Sequence, residues 1–152
     1  MSRRDLIRMT DAEVDEFLHG RRVMNIATLG KTGHPHLVAM WYGFLGGEPA
    51  LWTYGRSQKV INVQRDPRIT GLVEEGETYD QLVGVELVGH AEVITDTEST
   101  MELGRSVWAR YWGEVNDDVD KLIAERGAKR VAVVIHVDDV VSWDHRKLGG
   151  TY

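Results

Sequence analysis

The chain has 152 residues, of which 42% are hydrophobic, and 24 acidic against 18 basic residues give it a formal net charge of −6 at pH 7. This length predicts a single domain over residues 1–152, and the acidic balance disfavours binding to nucleic acid or to an anionic membrane. Cysteine is absent, which excludes disulfides and thiolate ligands.

No apolar run approaches the ~20 residues that span a bilayer, and the N-terminus lacks the apolar core of a signal peptide. We therefore expect a cytoplasmic location.

The first half of the chain alternates strand patterns with turn residues. Thr10 and Glu13 form a capping-box pattern followed by apolar residues at helical spacing, which predicts a helix over 10–19. Two successive hairpins then predict an antiparallel meander and not βαβ units. The predicted strands are 22–29, 36–42 and 50–54, joined by glycine-rich turns at 30–33 and 46–49.

The second half of the chain predicts three more strands and two helices. Gly84 and Gly89 lie inside the fifth strand and predict a bend or bulge, while Thr95 and Glu98 form a second capping box. Six strands in meander order with inserted helices predict a small antiparallel barrel. The predicted elements are strand 68–75, strand 82–94, a helix opening at Thr95, a helix over 117–126, and strand 129–137, which 138–143 continue after a break.

The stretch 51–67 has the features of a phosphate site. An apolar strand ends at Gly55, and Ser57 is a suitable N-cap for a helix that an Asp-Pro pair ends near residue 65. A helix N-terminus offers unpaired N–H groups, to which Arg56 and Lys59 add two cations. An ordinary capped helix with solvated basic residues would share this pattern, so the stretch alone leaves both interpretations open.

Other chemical patterns are weaker or absent. The chain has no G-x-S-x-G, G-x-G-x-x-G or Walker A motif. His34 and His36 form the most metal-like pair, but no spacing selects a third ligand, so we predict no metal site. Aromatic residues lie on two strands predicted to be adjacent, which lead into the turn that suits a phosphate. They predict an apolar wall for a cofactor that combines a ring system with a phosphate. They are Trp41, Tyr42, Trp52 and Tyr54.

Three blocks of the sequence resemble the split-β-barrel flavin and deazaflavin oxidoreductases related to pyridoxamine 5′-phosphate oxidase. The blocks are ATLGKTGHPH (27–36) continuing to MWY (40–42), WTYGRSQK (52–59) with Asn62 and RDPR (65–68), and VELVGHAE (85–92). The resemblance implies a mainly β fold with flanking helices, built on a six-stranded antiparallel split β-barrel. It also implies a homodimer whose cofactor sites lie at the subunit interface, with no nucleic-acid or membrane partner.

The resemblance also implies a set of cofactor contacts. Lys59 and Ser57 match phosphate contacts of the family, Arg56 adds a further phosphate ligand, and the strand 37–41 runs under the ring. The predicted cofactor-binding residues are Val38, Ala39, Met40, Trp41, Trp52, Thr53, Arg56, Ser57, Gln58 and Lys59. No catalytic residue is predicted, because solvent can serve as proton donor as well as Tyr42, Tyr54, His34 or His36.

Gln58 and the end of the chain favour one branch of that family. Gln58 takes a position that is basic in the pyridoxamine phosphate oxidases, and residues 141–152 resemble the actinobacterial deazaflavin-dependent branch. The resemblance implies hydride transfer from reduced coenzyme F-420, an 8-hydroxy-5-deazaflavin, to an unsaturated small organic substrate. FMN as the cofactor and a non-catalytic flavin or deazaflavin carrier are the alternatives. The acidic tail of the deazaflavin is expected to meet Lys31, Arg65 or the N-terminal arginines.

Overall fold

Seven strands form one antiparallel sheet in the computed structural model, which describes residues 2–150. The strands are β1 Met24–Leu29, β2 Pro35–Met40, β3 Gly43–Leu45, β4 Glu48–Tyr54, β5 Arg68–Glu75, β6 Val83–Ile94 and β7 Arg130–Asp144. The helices are α1 Arg3–Ile7, α2 Asp11–His19, α3 Gln58–Arg65, α4 Thr97–Tyr111 and α5 Asp117–Gly127. Across the sheet the order is β2-β1-β5-β6-β7-β4-β3.

The predicted antiparallel sheet with flanking helices is confirmed, but the prediction of six strands was one too few. The strand predicted at 36–42 ends at Met40, and a separate short strand, β3, forms the hairpin with β4. The predicted hairpin between 36–42 and 50–54 is therefore wrong, since β2 and β4 lie near opposite edges of the sheet. The physical cause is Tyr42, which is fully buried and donates its hydroxyl hydrogen to the carbonyl of Leu18.

Successive residues of β4 and β7 enter two different apolar layers. Leu51 and Val133 face the main core, whereas Trp52 and Val134 face α4 and α5. The main core also receives Met24 from β1, so residues from distant strands of the sheet meet in one cluster. The sheet must therefore curl around that core, as a half-barrel does.

Gly89 marks the predicted bulge. The register between β6 and β7 shifts between Val88 and Gly89, and a Cβ on Gly89 would lie 2.1 Å from the carbonyl oxygen of His136. Gly84 instead makes room for the indole of Trp143, which a Cβ would approach to 2.2 Å. The predicted break after residue 137 takes the form of this bulge, since Asp138 has no register partner on β6, and β7 continues beyond it to Asp144.

The helix caps agree with the sequence in two cases out of three. Thr10 and Glu13 form the predicted capping box of α2, and Ser57 is the N-cap of α3. At α4 the cap is Asp96, whose carboxylate accepts from the N–H of Ser99, so the predicted Thr95 box is wrong by one residue. Within residues 2–150, no helix is both long and apolar enough to cross a membrane.

Candidate anion-binding cleft

A cleft of about 890 Å³ lies where the turn between β4 and α3 meets the end of β6 and the turn between α5 and β7. The two turns are tied together, since the N–H of Gly55 donates to the carbonyl of Lys129 at 3.0 Å and Tyr54 is paired with Arg130 in the sheet. The lining residues are Tyr54, Gly55, Arg56, Ser57, Thr95, Ala128, Lys129, Arg130 and Val131.

The cleft holds positive charge that no carboxylate in residues 2–150 balances. Arg56, Lys129 and Arg130 line it, and no acidic residue of that part of the chain does. None of the three takes part in a salt bridge with another residue in the described part of the chain, whereas Arg68 and Arg105 are each paired with an aspartate. Uncompensated cations in a concave surface attract an anionic ligand.

Ser57 leaves its hydroxyl available at the N-terminus of α3. Its backbone has the extended conformation of an N-cap, yet the side chain makes no capping hydrogen bond. The Oγ atom is shielded from solvent and has no hydrogen-bond partner among residues 2–150. A buried hydroxyl beside unpaired helix N–H groups forms a donor set that suits phosphate oxygens.

Lys59 places a buried ammonium next to this N-terminus. The residue is 9% exposed, and its Nζ donates to the hydroxyl oxygen of Thr53 at 3.2 Å. Burial, and secondarily the charge of Arg130, lower the pKa of Lys59. An anion bound close to Lys59 would reverse both effects, because it would stabilise the charged form.

Arg130 was missed by the sequence analysis, although a basic pair at the start of a predicted strand was a signal for it. Its Nη1 donates to the carbonyl of Trp52 at 3.1 Å, and its guanidinium lies 4.3 Å from the ring centroid of Tyr54. Its Nε is shielded from solvent and lacks a partner in residues 2–150. The guanidinium is therefore held in place while its Nε donor remains unused.

A network of amides and hydroxyls lies on the other side of α3. Asn62, which is fully buried, donates to the hydroxyl oxygen of Thr28 at 3.0 Å and accepts from Gln58 at 2.8 Å. Arg65 donates to the carbonyl of Leu29 at 2.5 Å and to the amide oxygen of Asn62 at 3.3 Å. Asn62 and Arg65 thus fix α3 against β1. Arg65, which was a predicted contact for the acidic tail of the cofactor, already forms hydrogen bonds within the chain.

The structure brings together one half of the predicted cofactor set. Arg56 and Ser57 line the cleft, Thr53 and Lys59 lie beside it, and Gln58 begins α3. Trp52 is 7% exposed and packs in the layer under α4 and α5.

The other four residues of the predicted set lie elsewhere. None of Val38, Ala39, Met40 and Trp41 lines the cleft, because β2 is at the far edge of the sheet. The ring of Trp41 stacks on Tyr111, with centroids 4.6 Å apart, and meets Trp112 edge-on at 4.8 Å. The predicted aromatic wall is therefore wrong within one chain, and of its four residues Tyr54 alone lines the cleft.

Metal ligation has no support in the described part of the chain. No group of three or more His, Asp or Glu side chains in residues 2–150 is arranged to hold a metal ion.

Comparisons with known proteins agree with this architecture. The family model described as pyridoxamine 5′-phosphate oxidase matches residues 10–144. Among curated proteins, none matches the chain significantly in sequence.

Solved structures share the fold. A conserved hypothetical protein, Rv2991 from Mycobacterium tuberculosis, is 42% identical over 100% of this chain and 95% of its own, with a TM-score of 0.94. An F-420 reductase is 20% identical over 83% of this chain and 94% of its own (TM-score 0.64). The haem storage protein HutZ of Vibrio cholerae is 13% identical over 89% and 96% (TM-score 0.68). The chain therefore belongs to the pyridoxamine 5′-phosphate oxidase family of split-barrel proteins.

Proposed function

We propose that this protein is an oxidoreductase that uses coenzyme F-420 and delivers hydride to an unsaturated small organic substrate. The observation that carries the proposal is a pair of neighbouring polar groups in a chain of a cofactor-binding family. Lys59 is buried and forms no salt bridge in residues 2–150, and Ser57, two positions earlier, has a hydroxyl without a hydrogen-bond partner in the same residues. The fold shared with an F-420 reductase supports the choice of cofactor. When bound, the reduced deazaflavin supplies the hydride, and the chain supplies binding, orientation and electrostatics.

In this proposal the residues of the cleft divide the anionic groups of the cofactor between them. The phosphate is bound by the first N–H groups of α3 and by the side chains of Arg56, Ser57 and Lys59. Lys129 and Arg130 lie across the cleft and remain for further acidic groups. A single phosphate carries about −1.5 to −2 charges at pH 7 and leaves part of this positive charge unpaired. The surplus favours a deazaflavin with an acidic tail over FMN.

We also propose that a second copy of the chain completes the site. β2 is an edge strand whose outward residue Leu37 is 70% exposed, and Trp41 and Trp112 beyond its end are 40% and 51% exposed. A twofold contact on this face would cover these apolar side chains. It would also explain why the predicted ring contacts 38–41 lie outside the cleft of their own chain.

Titration of the purified protein with coenzyme F-420, FMN and haem tests the cofactor. We expect F-420 to bind most tightly, FMN to bind more weakly through its phosphate, and haem, which carries no phosphate, to show no competition with either. Equal or tighter binding of FMN would favour the flavin alternative. Reduced F-420 that stays reduced with every acceptor in a broad panel would favour a carrier over an enzyme.

A further inference from the structure

Lys59 differs from the other four lysines of the chain in its surroundings. Its side chain is buried, its Nζ donates to the hydroxyl oxygen of Thr53, and it forms no salt bridge in residues 2–150. The other four lysines are exposed, and they are Lys31, Lys121, Lys129 and Lys147. Water solvates an exposed ammonium, whereas burial removes most of that solvation from Lys59.

These surroundings favour the neutral amine of Lys59 over its ammonium form. Burial, and to a lesser extent the charge of Arg130, lower the pKa of Lys59 below its ordinary value of 10.5. A neutral amine has a free electron pair and is a nucleophile, which an ammonium is not. Desolvation and a neighbouring cation are the two effects that activate lysine side chains toward carbonyl carbons. Both effects act on Lys59.

The cleft offers a carbonyl compound a place next to this amine. Arg130, whose charge acts on Lys59, lines the cleft, and so does Ser57, two positions before Lys59. The Nε of Arg130 has no hydrogen-bond partner among residues 2–150, so it can donate to an acidic group of a ligand. The ring of Tyr54, whose centroid lies 4.3 Å from the same guanidinium, is 56% exposed and suits a flat aromatic ligand.

We propose that Lys59 is a covalent site for aldehydes that carry an acidic group. The acidic group accepts a hydrogen bond from the Nε of Arg130, and the aldehyde carbon lies beside the Nζ of Lys59. The electron pair of the amine attacks that carbon and forms a carbinolamine. Both amine protons then end on the carbonyl oxygen, which leaves as water, and a C=N bond remains.

Imine formation of this kind is separate from the proposed hydride transfer. Nothing is oxidised or reduced in the step, so it requires no cofactor. The site would therefore exist in a chain that binds no F-420. An aldehyde bound to Lys59 would also occupy the cleft, so we expect it to compete with any anionic ligand that binds there.

Two aromatic aldehydes of similar size test the proposal. 4-Formylbenzoate carries a carboxylate, and its methyl ester is neutral. Each is incubated with the full-length chain at pH 7.5 and sodium cyanoborohydride, which reduces an imine to a stable secondary amine, and peptide mass mapping locates the label. We expect 4-formylbenzoate to label Lys59 roughly tenfold faster than Lys121, as about one unit of pKa allows. The ester should label Lys59 about fivefold more slowly, because it lacks the charge.

The pH dependence distinguishes an activated amine from one that is only close to the aldehyde. An acetylated lysine amide in the same solution serves as the reference. The ratio of labelling at Lys59 to labelling of the reference should be constant at low pH. It should fall once pH passes the lowered pKa of Lys59, because Lys59 is then neutral while the reference still loses protons. A ratio that stays constant up to pH 10 would contradict the activation of Lys59.

Two variants assign the roles of the residues. Arg130→Gln should reduce the preference for 4-formylbenzoate over its ester to about twofold or less, because the acidic group loses its charged partner, while the ester still labels Lys59. Lys121→Met removes an exposed lysine and should leave the labelling of Lys59 unchanged. Melting curves of both variants show whether the chain stays folded.

Labelling of Lys59 that is no faster than labelling of Lys121 overturns the proposal. Equal labelling of Lys59 by 4-formylbenzoate and by its ester overturns the choice of an acidic aldehyde. The proposed function is judged by titration with coenzyme F-420 in the absence of aldehyde, so either conclusion can fail without the other.

Discussion

The ammonium nitrogen of Lys59 lies 3.2 Å from the hydroxyl oxygen of Thr53 and forms no salt bridge with a residue in 2–150. A lysine with this little exposure normally has an anionic partner, because desolvation penalises its charged form. The folded chain therefore holds a poorly solvated ammonium, for which the proposed cofactor phosphate would be the anionic partner. This makes Lys59 both the best probe of the site and a source of instability.

Lys59→Met should weaken the binding of a phosphate-bearing cofactor by roughly ten- to a hundredfold, because a charge-assisted hydrogen bond contributes about 1.5–3 kcal/mol. Fluorescence titration with coenzyme F-420 measures the change. Lys121→Met, on the exposed surface of α5, is the matched control and should bind as the wild type does. Unchanged affinity in Lys59→Met would remove Lys59 from the site.

The same substitution should stabilise the ligand-free protein. Burial lowers the pKa of Lys59 in the folded chain below its ordinary value of 10.5. Between these two pKa values the unfolded state binds more protons, so the contribution of Lys59 to the free energy of unfolding rises with pH in that window. At pH values below this window, the cost of burying the charged Lys59 is fully present. Lys59→Met should therefore melt a few degrees higher than wild type at pH 7.

Thermal melts from pH 7 to pH 10.5 check this prediction. The difference between variant and wild type should shrink as pH rises through the lowered pKa of Lys59. A variant that melts below the wild type at every pH would show that the lysine stabilises the empty site.

His136 should stabilise the protein in acid and lose this effect as pH rises. Its Nε2 lies 2.6 Å from a carboxylate oxygen of Glu92, and its Nδ1 lies 2.7 Å from one of Glu48. These hydrogen bonds raise the pKa of His136. The ring of His90, which is itself paired with Asp138, also lies close by. The stabilisation is complete below the unfolded pKa near 6.5 and disappears as pH rises through the raised folded value. Because the ring is 31% exposed, we expect at most about 1 kcal/mol.

Urea unfolding of wild type and His136→Gln at pH 5.5 and pH 9 measures this contribution. The two proteins should differ at pH 5.5 and converge at pH 9. A constant difference between the two pH values would mean that packing, and not the charge of His136, is lost.

Gly104 should tolerate no side chain, although it lies inside a helix where alanine is the better helix former. A Cβ there would lie 2.6 Å from the Cγ2 of Ile123 and 3.0 Å from the Cζ2 of Trp52. Gly104→Ala should therefore cost about 1–3 kcal/mol of overpacking strain. Gly127→Ala is the control, since its Cβ would meet Trp52 at an ordinary 3.6 Å. Equal melting temperatures for the two variants would contradict the prediction.

Leu37→Glu should dissociate the proposed dimer without unfolding the chain, because Leu37 is 70% exposed in the single chain. Light scattering should give about twice the chain mass of 17.2 kDa for the wild type and a single chain mass for the variant. Tyr79→Glu changes another exposed apolar residue, 59% exposed and away from β2, and should keep the wild-type mass. A wild type that is monomeric and still binds cofactor tightly would contradict the dimer.

The local elements could be predicted from the sequence because their causes are local. Thr10 and Glu13 cap a helix wherever they stand before an apolar stripe, and the Asp-Pro pair after α3 ends a helix through sterics of the backbone. Gly89 marked a bulge because a side chain there would strike the next strand. The turn at Arg56 and Ser57, which suits a phosphate, could also be predicted from local causes, since a strand, a turn and a capped helix follow one another in the chain.

Strand pairing and the composition of the cleft depended on the tertiary structure. Tyr42 ends β2 because its ring and hydroxyl find partners on α2, and no pattern near residue 42 encodes that distant contact. Arg130 reaches Tyr54 because β7 pairs with β4, so two residues separated by about half the length of the chain become neighbours. The sequence by itself thus determined the helix, the turn and the residue types of the proposed phosphate site. The long-range pairing of strands and the burial of Lys59 decided where the uncompensated charge lies, because desolvation and cross-strand register exist only in the folded chain.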